Sequence, residues 1–347
     1  MRPRSTLLGA CLLAAILVPP APSARACGVF SLVRTLSPEQ RPSLAREKVL
    51  IVHDAARGRE HFIREVAFRK ADQVFGFVVP TPSLPEVAEV DKNPFTRLRT
   101  RFPFIEQEYG TGKGYGGHGV GGTSGGSVEV LSVEKVGSFT AFVLAANDTA
   151  ALAKWLADNQ LTSTPESDRW LEHYVRMGFY YVAMRYDPPA DARARRSAPI
   201  AAETVRISFD TPIAYYPYFE PEPEHDPKTP RLLEVWYVGT DPVVPVAQLT
   251  DPAQQGSKPR WVRPLKPGHQ HLRARKQIEA ALLDELEALL PAGELVVQTF
   301  QDQKRRRSGF QDLLFASAEQ QPLTQEQQAK LGPLLGVLDP GLVAEAP

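Results

Sequence analysis

The sequence predicts an α+β protein: a mostly antiparallel sheet with a few helices packed on it, and long Gly-rich and Pro-rich loops between elements. Short β-branched and aromatic runs recur with brief polar connections, three stretches switch to helical spacing, and glycine and proline concentrate in two segments. The implied plan is an export signal over 1–26, a globular domain over 27–303 and a weakly structured tail over 304–347.

The N-terminus has the parts of a cleavable signal: Arg2 and Arg4, an apolar run from Leu7 to Val18, and a small-residue site ending at Ala26. The run falls short of the roughly 20 residues that span a bilayer, and Pro19-Pro20 ends it, so no transmembrane segment is expected after cleavage. Cys27 would then come first. A lipid anchor at Cys27 is the alternative, but Ala24 stands where lipid attachment wants a bulky aliphatic residue, so ordinary cleavage is favoured. The expected compartment is extracytoplasmic, either periplasmic or secreted.

Cleavage removes three arginines and no acids, which leaves 37 basic against 40 acidic residues, a formal charge of −3. Nucleic-acid binding needs a concentrated positive face; the dense basic run Lys304-Arg305-Arg306-Arg307 reads instead as a solvated charged loop. Cys11 leaves with the signal, so Cys27 alone remains and neither an intramolecular disulfide nor a thiolate metal cluster can form.

Lys48 to Val52 predicts a buried strand, and His61 to Arg69 its hairpin partner across the turn at Ala55 to Arg59. Val74 to Val79 adds a third strand stopped by Pro80-Thr81-Pro82, completing a predicted three-stranded meander. Ten glycines between Tyr109 and Ser127 predict a mobile loop over 109–127. Val128 to Val133 then pairs with Phe139 to Leu144 across Gly137-Ser138.

Asn147 or Asp148 caps a helix with Leu152, Trp155 and Leu156 on one stripe. A second helix, Glu166 to Met177, aligns Trp170, Leu171, Tyr174 and Val175 before a stop at Gly178. Strands follow at Phe179 to Tyr186, Thr204 to Phe209 and Leu233 to Val238, with Tyr215 to Pro230 read as an extended Pro-rich surface connection over 215–230. A helix is expected over Gln270 to Leu290, then an edge strand at Leu295 to Val297 and a short helix from Thr324 to Leu331.

Gly110-Thr111-Gly112-Lys113-Gly114 lacks the order of a phosphate loop, and His269-Gln270-His271 lacks a third metal ligand. His53 and His61 are expected to face solvent. Glu220, Glu222, Glu224, His225 and Asp226 read as a solvated loop, without the Asp-x-Asp-x-Asp-Gly order that wraps calcium. No nucleophile elbow or zinc-protease helix occurs. No cofactor and no metal are expected, catalytic residues are unknown, and a non-enzyme is favoured. The reading is an extracytoplasmic binding or structural module with an unknown envelope or extracellular partner; Tyr215, Tyr216, Tyr218 and Phe219 either contact that partner or pack down on the sheet, and packing is slightly favoured. The alternative is a hydrolase whose site, drawn from His53, His61, His173 and nearby acids, assembles only in the fold.

Ala26-Cys27-Gly28, the strand Val49 to Val52, and Val74-Phe75-Gly76-Phe77-Val78-Val79-Pro80-Thr81-Pro82 come in an order similar to that of a secreted bacterial family, domain of unknown function 2330. Val136-Gly137-Ser138-Phe139, Trp155-Leu156, Tyr174-Val175 with Gly178-Phe179, and Ile207-Ser208-Phe209 leading to Tyr216-Pro217 extend the resemblance over most of 27–240. Relatives often carry a second cysteine soon after the first, where this chain has Ser31 and none nearby; some end in a membrane-spanning helix, which Pro333, Asp339 and Pro340 do not permit here. The resemblance implies architecture and compartment, and no activity.

Overall fold

An apolar run such as Val49 to Val52 has no polar side to offer water, so its sheet must be covered on both faces. All four residues are fully buried. The computed structural model describes residues 29–31, 43–69, 74–105, 127–186, 200–201, 204–220, 232–249, 260–303, 307 and 311–317. Along them run β1 (Val29–Ser31), β2 (Ser43–Asp54), β3 (Arg59–Arg69), β4 (Phe75–Thr81), β5 (Glu86–Glu89) and α1 (Phe95–Arg101). Next come β6 (Val128–Val136), β7 (Phe139–Ala146), α2 (Thr149–Asp158), α3 (Pro165–Arg176), β8 (Tyr180–Tyr186), β9 (Ile200–Ala201), β10 (Val205–Asp210) and β11 (Ala214–Tyr216). The last are β12 (Leu232–Gly239), β13 (Val243–Leu249), β14 (Arg260–Val262), β15 (Lys266–His271), α4 (Arg275–Glu279), β16 (Val296–Asp302) and β17 (Leu313–Ser317).

The strands make three sheets: β1-β4-β8-β7-β6; β15-β16-β12-β2-β3-β10-β5 with β9 beside β3; and β11-β17-β13-β14. Among the described strands β2 and β12 pair in parallel and the other pairs are antiparallel, so the expected sheet-rich α+β class holds. Alternation splits the largest sheet's side chains. Val49, Ile51, Phe62, Val235 and Phe300 enter a core shared with the other two sheets. Leu50, Val52, Ile63, Trp236 and Val297 enter a second core, under Phe95, Leu98 and Phe102 of the α1 region and Ile278, Leu282 and Leu286 near α4.

The β2–β3 and β6–β7 hairpins match expectation, and so do α2 and α3. Asp148 caps α2, and Thr164 with Ser167 forms a capping box on α3. Gly178 takes φ +67° after α3, a left-handed turn that glycine adopts without strain.

Five expectations are corrected. β4 leaves the meander: all seven of its residues are buried, so it needs partners on both sides and pairs with β1 and β8. β1 pairs with Phe75 to Phe77 of β4, and Pro80 lies opposite Tyr181 of β8. Residues 270–290 are not one helix. Gln270 and His271 join the ladder with β16, Leu283 is extended at φ −134° and ψ 151°, and a 3-10 turn spans Asp284–Leu289. The apolar spacing still buries Ile278, Leu282 and Leu286, but strand pairing overrides helix propensity at the front.

β16 lies inside its sheet, between β15 and β12, not at an edge. Tyr215 and Tyr216 of β11, with Tyr218, are core residues and not a surface connection, because β11 pairs with β17. The tail expectation fails in part for the same reason: Leu313 to Ala316 are buried in β17, and Arg307 is buried rather than solvated. Residues 106–126, which hold all but the last residue of the expected Gly-rich loop over 109–127, lie outside the described residues, as do 221–231, 304–306, 318–347 with the helix expected from Thr324 to Leu331, and the expected signal with Ala26 and Cys27.

Candidate functional site

Five buried charged side chains meet where β2, β3 and the end of β16 face the segment after β11. Glu47 comes from β2, Arg64 from β3, Asp302 from β16, and Glu220 and Arg307 from irregular chain. Arg307 Nε donates to Asp302 Oδ2 at 3.0 Å, and its guanidinium stands 3.3 Å from Glu220 and 3.9 Å from Glu47. Arg64 lies 3.0 Å from the other Glu47 oxygen. Both guanidiniums also cover rings, Arg307 at 4.7 Å from Tyr218 and Arg64 at 4.7 Å from Phe77. Burial disfavours the Arg307 charge, but Glu220 and Asp302 more than offset this and hold its pKa well above the ordinary value.

A tyrosine cage adjoins the cluster. Tyr174 and Tyr215 hydroxyls donate to Asp312 at 2.9 and 2.6 Å, the Phe219 amide donates at 2.9 Å, and Tyr218 donates to Asp302 at 2.7 Å. Burial pushes Asp312 up to about 6 despite these bonds. Burial also drives the Tyr215 and Tyr218 pKa values well up, so both phenols remain protonated donors. Glu60 accepts the Tyr215 amide at 2.7 Å, its other oxygen has no hydrogen-bond partner, and burial raises its pKa well above the carboxylate range.

The histidines are not brought together. His53 is buried, with Nε2 3.1 Å from the Thr211 carbonyl, and does not face solvent as expected. It pairs with Glu60, so His61 falls on the opposite face of the sheet, where its Nδ1 meets Ser208 Oγ at 2.8 Å. Burial first, then Arg206 and Arg59, lower the His61 pKa to about 4. His173 packs between the Tyr174 and Phe219 rings at 5.0 and 5.1 Å, and burial takes it to about 4. His269 and His271 sit on β15 with ring centres 6.1 Å apart. Among the described residues no group of three or more His, Cys, Asp or Glu could hold a metal ion. Glu220 belongs to the buried cluster; Glu222, Glu224, His225 and Asp226 lie outside the described residues.

Accessible chemistry lies elsewhere, at a place sequence reading missed. Thr96, Arg97, Thr100 and Arg101 of α1, with Ala280 beyond α4, line an open cavity of about 410 Å³. The signal was present: Phe95, Leu98 and Phe102 have helical spacing in Phe95-Thr96-Arg97-Leu98-Arg99-Thr100-Arg101-Phe102 and all are buried. On the terminal strand β6, Val130, Leu131 and Val133 expose 38 to 53% of their surfaces, an apolar strip.

Residues 21–218 match the family described as uncharacterized proteins conserved in bacteria, DUF2330, which is more than half of the chain. The chain belongs to this family. The DUF2330 match ends at Tyr218, so Glu220, Asp302 and Arg307 of the buried cluster and Asp312 of the tyrosine cage come from beyond it. A comparison with curated proteins finds no match. A solved structure, titled the crystal structure of baculovirus P35, is similar over 84% of this chain and 100% of its own, at 9% identity and a TM-score of 0.35. That score does not establish a shared fold.

Proposed function

We propose that this DUF2330 protein is an extracytoplasmic binding or structural module of the cell envelope, without catalysis of its own. One observation carries the reading: among the described residues, the cluster of ionisable groups around Arg307 is closed. Arg307 is 0% exposed and its partners Glu47, Glu220 and Asp302 only 1 to 4%, so no substrate reaches them. Buried charges held this way secure one arrangement of the chain. The surface offers the α1 cleft and the β6 strip instead, features that suit contact with a partner. Support for the compartment is the signal-like sequence of residues 1–26.

The observation that favours the alternative, a hydrolase, is the His61–Ser208 contact. Against it stand Ser208, only 2% exposed, and an imidazole whose pKa of about 4 makes it a weak proton acceptor near neutrality. The test is an assay of the mature protein on ester, amide, glycoside and phosphoester substrates. The binding reading expects no turnover; turnover removed by His61→Ala or Ser208→Ala would establish the hydrolase in its place.

A further inference from the structure

Thr96, Arg97, Thr100 and Arg101 fall at positions i, i+1, i+4 and i+5, which places all four along one side of α1. The helix cannot roll, because Phe95 and Leu98 are buried on its other side. Arg97 is held: its Nε donates to the Ala281 carbonyl at 3.0 Å, while its Nη2 is buried without a hydrogen-bond partner. A buried donor left unmet is destabilising, which an oxyanion in the cleft would relieve. Arg101 is exposed one turn later, and the seven residues of α1 include no acid. Arg99 is already committed, 3.0 Å from Glu234.

We propose that this cleft binds a phosphate group, whether free or carried on a lipid headgroup. The assignment rests on the binding reading above and names its ligand class. A tetrahedral oxyanion offers more acceptor positions than a carboxylate and suits two guanidinium forks, which bind in bidentate fashion. Thr96 supplies a hydroxyl, whereas the Thr100 hydroxyl already donates to the Thr96 carbonyl at 3.0 Å. Ala280, the remaining lining residue, has a small side chain that leaves room for the ligand.

The experiment uses the full mature protein in two arms: calorimetric titration with inorganic phosphate, and cosedimentation with phosphatidylcholine vesicles with or without phosphatidylglycerol. Expected is saturable binding in at least one arm. Affinity should fall about tenfold in Arg101→Gln, equivalent to about 1.4 kcal/mol, and further in Arg97→Gln/Arg101→Gln. Binding of phosphate assigns a soluble ligand; binding only to the phosphatidylglycerol vesicles assigns a headgroup. Arg101 is exposed, so its variant keeps the wild-type circular dichroism and melting temperature even if the double variant does not fold. No binding in either arm, or binding unchanged in Arg101→Gln, overturns the proposal. That failure would leave a binding module with a different ligand, whereas the binding reading itself fails only on turnover.

Discussion

The Arg307 guanidinium lies 3.0 Å from the Asp302 carboxylate, with side-chain exposures of 0 and 3%. They lie five positions apart in sequence, yet the contact joins β16 to a network that also reaches β2 through Glu47. Removing one member of a buried pair strands the other charge, a loss of about 3–5 kcal/mol. Arg307→Ala should therefore lower the unfolding free energy read from urea melts by that order. Asp302→Asn added to it should restore part of the loss, because one of the stranded carboxylates is gone. Strictly additive losses would remove the network from the account.

Truncation after residue 303 is expected to abolish cooperative folding. It deletes Arg307, Asp312 and β17, and β17 is the strand that joins β11 to β13. A protein of 27–303 that keeps a sharp thermal transition would show that these residues are accessory.

Acid should destabilise the fold through its buried imidazoles. His173 has a folded pKa of about 4 against 6.5 for the free group, so between those values the unfolded chain binds more protons, and stability is lost as pH falls through about 4. His61 has the same sign. Asp312 has the opposite one: its carboxyl, raised from 3.8 to about 6, contributes stability that is lost as pH rises through about 6. His173→Phe keeps a ring between Tyr174 and Phe219 and should gain about 1–3 kcal/mol over wild type at the acid end of this window, in urea melts across pH. Parallel pH curves would contradict the assignment.

Gly76 has no room for a methyl group. A Cβ there would press on the Met184 carbonyl and the Leu161 side chain. Gly76→Ala should destabilise by about 1–3 kcal/mol, read from the denaturation midpoint, although alanine normally favours order over glycine.

Local signals made the hairpins, α2 and α3 legible. Turn glycines, the Asp148 cap and the Trp170, Leu171, Tyr174 stripe all act within a few residues. The misreadings had distant causes. Gln270 became strand because β16 lies beside it, and Tyr215 and Tyr218 are buried because Asp312 and Asp302 arrive from much later in the chain. Arg307 looked like part of a solvated basic run since nothing nearby in sequence reveals Glu47 and Glu220 as its partners. The α1 cleft was readable in part, from the spacing of Phe95 and Leu98, but Ala280 comes to it only through the fold.

The most direct test of an extracytoplasmic module is the intact mass of the protein purified from its native cell. Cleavage after Ala26, with Cys27 as the first residue and no acyl chain, is the predicted result. A mass that retains Met1 through Arg25, in protein recovered from the cell interior, would contradict it.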